Sequence, residues 1–147
     1  MFDKDQFRAF VTSVLKKYSD ILGLPLYSES AVNLILGTCA QESAFGKYRH
    51  QIGGPAHGIM QIEEKTFNWL KSVWAPKGAP DVTFEDLIND DEASIIYARL
   101  LYWPKRRKLP APDDIRGLAK YWKDFYNTHL GKGKISEFMH NYSRFVL

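Results

Sequence analysis

The fold of this chain is decided by residues 31–46, which read AVNLILGTCAQESAFG. The apolar run at the start of this stretch predicts an α-helix, and at about 3.6 residues per turn Ile35, Cys39 and Glu42 share one face of it. A carboxylate therefore lies on the apolar stripe, near the end of the helix. Burial without a cationic partner raises the pKa of a carboxyl group, and an acid that stays protonated near neutral pH is suited to general acid catalysis. The alternative is a solvated surface glutamate.

Composition predicts one compact, soluble domain spanning residues 1–147. Hydrophobic residues make up 45% of the chain and charged residues 25%, so a disordered chain is excluded. The net charge of +3 is too small to indicate a nucleic-acid-binding protein, although it suits an anionic polymer as partner. The basic run KRRK at residues 105–108 predicts a solvated loop, with a ligand-binding patch as the alternative.

The sequence lacks the patterns that indicate disulfides, signal peptides, membrane spans, metal sites or nucleotide-binding loops. Cys39 is the single cysteine, which excludes an internal disulfide and indicates a small buried hydrophobic residue. No signal-peptide pattern opens the chain, and no apolar run approaches the ~18 residues of a membrane span. His50 and His57 lack further ligands at metal-binding spacing, and no phosphate or dinucleotide loop is present. We therefore expect no metal, no cofactor and no membrane insertion.

The periodicity of apolar residues predicts helices along nearly the whole chain. Residues 47–58 are predicted to be irregular, and residues 58–62 (GIMQI) to form a brief strand or an extended loop. A weak capping box is predicted at residues 83–86. Helix starts are predicted near Asp3 or Asp5, Ser28 or Ser30, Glu64, Asp90 or Asp91, Asp113 or Asp114, and Ser136.

The segment at residues 58–62 carries groups that suit a binding site next to Glu42. Gly58 would let the backbone approach a ligand closely, Met60 offers an adaptable apolar wall, and Gln61 offers a donor and an acceptor. Ser43 adds a hydroxyl group beside the acid.

Together, residues 42–45 (ESAF) and 58–62 (GIMQI) resemble the motifs of soluble lytic transglycosylases and goose-type lysozymes. These enzymes cleave peptidoglycan between N-acetylmuramic acid and N-acetylglucosamine. Their third motif, Ala-Tyr-Asn-Ala-Gly, is matched in part by FYNTHLG at residues 125–131, which keeps the Tyr-Asn pair and has the glycine two positions late. Residues 109–133 look more like phage-encoded members of this superfamily.

The resemblance implies a mainly α (α+β lysozyme-like) fold with six to eight helices and at most a small β-hairpin near the active site. It implies that Glu42 is the sole catalytic residue, acting first as acid and then as base, and that Tyr126 hydrogen-bonds to its carboxyl group, with Tyr121 as a competitor. The expected substrate-binding residues are Ser43, Tyr48, Met60, Gln61, Tyr126 and Asn127. Trp122 is expected in the core, whereas Trp69, Trp74 and Trp103 could line a glycan groove or pack in the core.

The expected reaction is a lytic transglycosylation that leaves 1,6-anhydromuramic ends. A hydrolase would instead need a second carboxylate about 6.5–9.5 Å away, for which the candidates are Glu63, Glu64, Asp81 and Asp91. A non-catalytic, glycan-binding virion structural protein is the alternative from another class. The expected partner is peptidoglycan and not nucleic acid. The protein is expected to be a monomer or attached to a virion or secretion assembly, and to reach the wall after holin release or on the virion.

Overall fold

A computed structural model describes residues 1–50, 54–127 and 131–147. The helical nature predicted from the sequence is confirmed, since most of the described residues are helical. Short 3₁₀ turns occur at Ala75–Lys77 and Glu85–Ile88, and a π-helical turn at Lys123–Asn127. The α-helices in these ranges are α1 (Lys4–Leu22), α2 (Glu29–Ser43), α3 (Glu64–Trp74), α4 (Asp91–Tyr102), α5 (Ile115–Trp122) and α6 (Ile135–Phe145).

Helix capping explains where most of these helices begin. The N-cap side chains accept hydrogen bonds from backbone N–H groups of the first turn, which otherwise have no partner. The predicted start at Ser136 is wrong, because the Glu137 carboxylate accepts the backbone N–H of Lys134 at 2.8 Å and the helix begins two residues earlier than Ser136 would allow. Capping side chains are found at Asp3, Ser28, Asp90 and Asp114.

The capping box predicted at residues 83–86 is confirmed. The backbone N–H of Thr83 donates to the Asp86 carboxylate at 2.8 Å, and the backbone N–H of Asp86 donates to the Thr83 hydroxyl at 3.1 Å. This exchange fixes the turn that leads into α4.

Helix α2 is the centre of the molecule. It contacts α1, α4, α5 and α6, and residues 31–40 are all buried. Gly37 allows α6 to approach closely, since a Cβ atom at this position would lie 2.4 Å from Cζ of Phe138. The buried hydrophobic residues form one continuous cluster around this helix.

The segment at residues 58–62 is a turn, and no β-strand occurs in the described ranges. His57 forms isolated antiparallel bridges with His50 and with Ile62, but no ladder follows. Gly58 has a φ of +81°, and a Cβ atom there would lie 2.4 Å from the carbonyl oxygen of Leu87. The close approach predicted for Gly58 is therefore to the protein's own backbone and not to a ligand. Residues 51–53 of the predicted irregular segment lie outside the described residues.

Candidate functional site

An open cavity of about 660 Å³ lies where α2 ends. It is bordered by α3 on one side and by α5 with the π-helical turn on the other. Most of its side chains are polar, and several can both donate and accept hydrogen bonds. The lining residues include Gln41, Glu42, Gln61, Glu63, Thr66, Trp122, Tyr126, Asn127 and Lys132.

Glu42 lines this cavity as a carboxylic acid with a raised pKa. Burial raises the pKa of its carboxyl group from the ordinary 4.5 to about 7. One hydrogen bond opposes this shift: the indole N–H of Trp122 donates to Oε2 of Glu42 at 2.9 Å. The raised pKa expected from the helix pattern is confirmed, and the carboxyl group exists in both protonation states near neutral pH.

Trp122 combines a core position with a direct contact to the acid. It is the last residue of α5 and is fully buried, as the sequence predicted. Sequence reasoning missed its contact with Glu42, since nothing in the periodicity shows which atom of a buried ring meets a polar partner. In the structure, the π-helical turn that follows Trp122 marks this position, because such turns often occur at functional sites.

The hydrogen bond expected between Tyr126 and Glu42 is not the one observed. The Tyr126 hydroxyl donates to the carbonyl oxygen of Met60, and the Tyr121 hydroxyl donates to the carbonyl oxygen of Arg107 at 2.9 Å. The hydrogen bond to the Glu42 carboxyl group comes from Trp122, and from neither tyrosine. Tyr126 nevertheless lines the cavity, and burial, together with the nearby Glu42 charge, holds its pKa well above the usual range.

Two further residues expected at the site, Gln61 and Asn127, line the cavity. Gln61 has a φ of 49° and its amide donates to the carbonyl oxygen of Gly58 at 2.8 Å. A non-glycine residue in the left-handed region is uncommon, and such strain is often found at functional sites.

Lys123 secures the wall opposite α3. Its ammonium group donates to Oδ1 of Asn127 at 2.7 Å and to the carbonyl oxygens of Gly131 and Gly133 at 3.0 and 2.7 Å. Lys132, between these two glycines, therefore lies on the cavity rim. Residues 128–130 of the partial third motif lie outside the described residues.

Three expected binding residues do not line this cavity. Ser43 is buried, and its hydroxyl donates to the carbonyl oxygen of Cys39 and accepts the N–H of Gly46, so it closes the end of α2. Met60 is fully buried, and only its carbonyl group reaches Tyr126. Tyr48 is exposed on the loop after α2, with the Lys47 ammonium over its ring. The tryptophans Trp69, Trp74 and Trp103 also lie outside the lining.

Of the four candidate second carboxylates, Glu63 lines the Glu42 cavity. Its charge is not among the causes of the raised Glu42 pKa. Asp81 pairs with Lys71 at 3.4 Å, Asp91 pairs with Arg49, and Glu64 does not line the cavity.

The described ranges contain no cluster of three or more His, Cys, Asp or Glu residues placed to hold a metal ion. None of the helices in these ranges has both the length and the apolar character needed to cross a membrane.

No protein-family model matches the chain, and neither a curated protein nor a solved structure matches it.

Proposed function

We propose that this protein is a lytic transglycosylase with a lysozyme-like fold that cleaves the β-1,4 bond between N-acetylmuramic acid and N-acetylglucosamine in peptidoglycan. The observation that carries the proposal is Glu42, an acid with a pKa of about 7 in a polar cavity large enough for sugar rings. The resemblance of residues 42–45 and 58–62 to the transglycosylase motifs supports it independently.

The proposed chemistry uses one carboxyl group twice. Protonated Glu42 donates its proton to the glycosidic oxygen, the C1–O bond breaks, and an oxocarbenium-like centre forms at C1 of the muramic acid. Glu42, now a carboxylate, takes the proton from the C6 hydroxyl of the same sugar as that oxygen bonds to C1. The products are a 1,6-anhydromuramic end and a free N-acetylglucosamine hydroxyl, and the acid is regenerated.

Trp122 is the positioning residue in this scheme. Its indole N–H donates to Oε2, which restricts the orientation of the Glu42 carboxyl group, and it stabilises the carboxylate that forms after proton transfer. Gln41, Gln61 and Asn127 supply amide groups that suit the hydroxyl and acetamido groups of a glycan.

Hydrolysis is the second candidate, and the position of Glu63 on the cavity lining favours it. In that reaction Glu63 would activate a water molecule while Glu42 protonates the leaving oxygen. A non-catalytic glycan-binding protein is the third candidate, because the same cavity could hold a glycan without cleaving it.

Mass spectrometry of fragments released from purified cell walls distinguishes the three. We expect 1,6-anhydro ends from the wild type, no fragments from Glu42→Gln, and release by Glu63→Gln close to wild type. Reducing ends that disappear in Glu63→Gln would establish the hydrolase. Wall binding without any released fragment by the wild type, or wild-type release by Glu42→Gln, would overturn the proposal.

Delivery to the wall is part of the same proposal. We infer that the enzyme reaches peptidoglycan after holin release or as a component of a virion or secretion assembly. Fractionation of infected cells and purified particles with an antibody against the chain tests this inference, and recovery in neither the lysate at holin opening nor an assembly would contradict it.

A further inference from the structure

A second cavity, of about 540 Å³, lies behind the wall of the Glu42 cavity. The two cavities have no lining residue in common. Tyr102 lines the second cavity and its ring stacks at 5.2 Å on Tyr126, which lines the first. The second cavity is bordered by the start of α2, the end of α4 and the basic run at residues 105–108.

Arg99 places a buried positive charge in this second cavity. The residue is 4% exposed, and its Nε–H donates to the carbonyl oxygen of Leu26 at 2.8 Å. A guanidinium group has five N–H donors, and within the described ranges the other four have no acceptor and no carboxylate pairs with the charge. Burial lowers the pKa of Arg99 to about 10, which reflects the cost of an unpaired charge.

The unused donors of Arg99 are accessible from the cavity. In the described part of the chain, no side-chain nitrogen or oxygen is both fully enclosed and without a hydrogen-bond partner. The terminal nitrogens of Arg99 therefore retain some access, and the residue belongs to the cavity lining. The Trp103 ring, 5.7 Å from the guanidinium carbon, limits the orientations that this group can take.

The surrounding groups add positive charge and hydroxyl donors. Lys105 and Lys108 line the cavity, and neither forms an ion pair with a carboxylate in the described ranges. Ser28 and Ser30 line it from the start of α2, where the helix dipole favours a negative group. Arg107 contributes less, because it bonds to Asp124 at 2.7 Å.

We propose that this second cavity binds the phosphate group of a small phosphate monoester. A planar guanidinium group, two ammonium groups and two hydroxyls match the several acceptor oxygens and nearly double negative charge of a phosphate, whereas a single carboxylate would leave most of them unused. The side chains of Pro25 and Leu109 and the ring of Tyr121 also line the cavity and leave an apolar surface for the organic part of the ester. The basic run at residues 105–108 thus contributes to a ligand site, the alternative that its sequence left open.

Titration of the full-length chain with inorganic phosphate, phenyl phosphate and acetate tests the proposal, with ionic strength held constant by chloride. In ¹H–¹⁵N NMR spectra we expect saturable shifts of the Trp103 indole and Arg99 Nε–H signals, with the Trp122 indole unmoved. Phenyl phosphate should bind more tightly than inorganic phosphate because of the apolar wall, and acetate at least tenfold more weakly than phosphate, roughly the effect of losing one charge-assisted hydrogen bond.

Variants at Lys105 and Lys108, which are not buried, avoid the risk that a change at buried Arg99 unfolds the chain. Lys105→Gln combined with Lys108→Gln should weaken phosphate binding about tenfold or more. The matched control, Lys65→Gln with Lys77→Gln, removes two exposed charges elsewhere and should leave the affinity unchanged, as should Glu42→Gln, because the proposal is independent of the glycan chemistry. Unsaturable binding, equal affinity for acetate, equal weakening by the control pair, or shifts at Trp122 in place of Trp103 would each overturn the proposal.

Discussion

Glu42 links the folding of the molecule to its proposed chemistry at the scale of a single residue. A carboxyl group whose pKa rises from 4.5 to about 7 on folding binds more protons in the folded than in the unfolded chain between these two pH values. The free energy of unfolding therefore falls as pH rises through this window, and it stays lowered above pH 7. The raised pKa that lets Glu42 donate a proton near neutral pH therefore lowers the stability of the fold above that pH.

Glu42→Gln should stabilise the protein at high pH. We expect an increase in the free energy of unfolding of up to about 3 kcal/mol at pH 8, shrinking toward zero at pH 4, because the substitution removes only the penalty of burying the charge. Urea unfolding at pH 4, 6 and 8 measures this difference, and Glu64→Gln on the exposed first turn of α3 is the control for loss of one carboxylate. A stabilisation that does not vary with pH would contradict the explanation.

Trp122→Phe should raise the Glu42 pKa further. The indole bond favours the ionised carboxylate, so its removal moves the pKa above about 7. We expect the Glu42 carboxyl signal in ¹³C NMR to titrate at higher pH, and the alkaline limb of the wall-lysis profile to shift the same way while the maximal rate falls about tenfold. Trp69→Phe, at an exposed tryptophan, is the matched control. An unchanged titration midpoint would show that the indole does not stabilise the carboxylate.

At the scale of elements, α2 could be predicted from sequence and its partners could not. The apolar run, the serines at its start and the acid near its end are local features, and they predict the helix, an N-cap at Ser28 or Ser30 and the raised pKa; Ser28 is the N-cap observed. Trp122 and Arg99 depend on which elements meet in space, which local periodicity does not encode. The prediction that Ser43 binds substrate is wrong for a related reason. Its hydroxyl group bonds to backbone groups at the end of α2, which its position next to the acid in the sequence does not show.

Gly37→Ala tests the close contact between α2 and α6. Alanine is the better helix former by about 1 kcal/mol, but its Cβ atom would lie 2.4 Å from Phe138 and 2.9 Å from Tyr142. Because overpacking typically costs 1–3 kcal/mol, we expect a net loss of about 1 kcal/mol in the free energy of unfolding. Gly37→Ala should cost less stability when Phe138→Leu is already present, because the smaller side chain leaves room for the new Cβ atom. Purely additive effects of the two substitutions would argue against a steric cause.

At the scale of the whole molecule, an ion pair joins segments that are distant in sequence. Arg49, on the loop after α2, donates to both carboxylate oxygens of Asp91 at the start of α4, and also to the carbonyl oxygen of Ile88. Its guanidinium carbon lies 5.8 Å from the centre of the Phe2 ring, and the Phe2 N–H donates to the carbonyl oxygen of Phe45. The N-terminus, the end of α2 and the start of α4 are therefore held together.

A double-mutant cycle measures how much this ion pair contributes. With Arg49→Met and Asp91→Asn we expect a coupling free energy of about 1–2 kcal/mol, above the usual value for surface pairs because the contact is bidentate and both side chains are partly buried. The matched cycle at Lys71 and Asp81, where the aspartate side chain is 83% exposed, should give a coupling close to zero. Because partly buried charges are screened less than exposed ones, 1 M salt should remove only part of the Arg49–Asp91 coupling. Equal coupling in the two cycles would mean that this ion pair is an ordinary surface contact, and the connection between α2 and α4 would then rest on their packing and on the buried hydrogen bond between the Thr38 and Tyr102 hydroxyl groups.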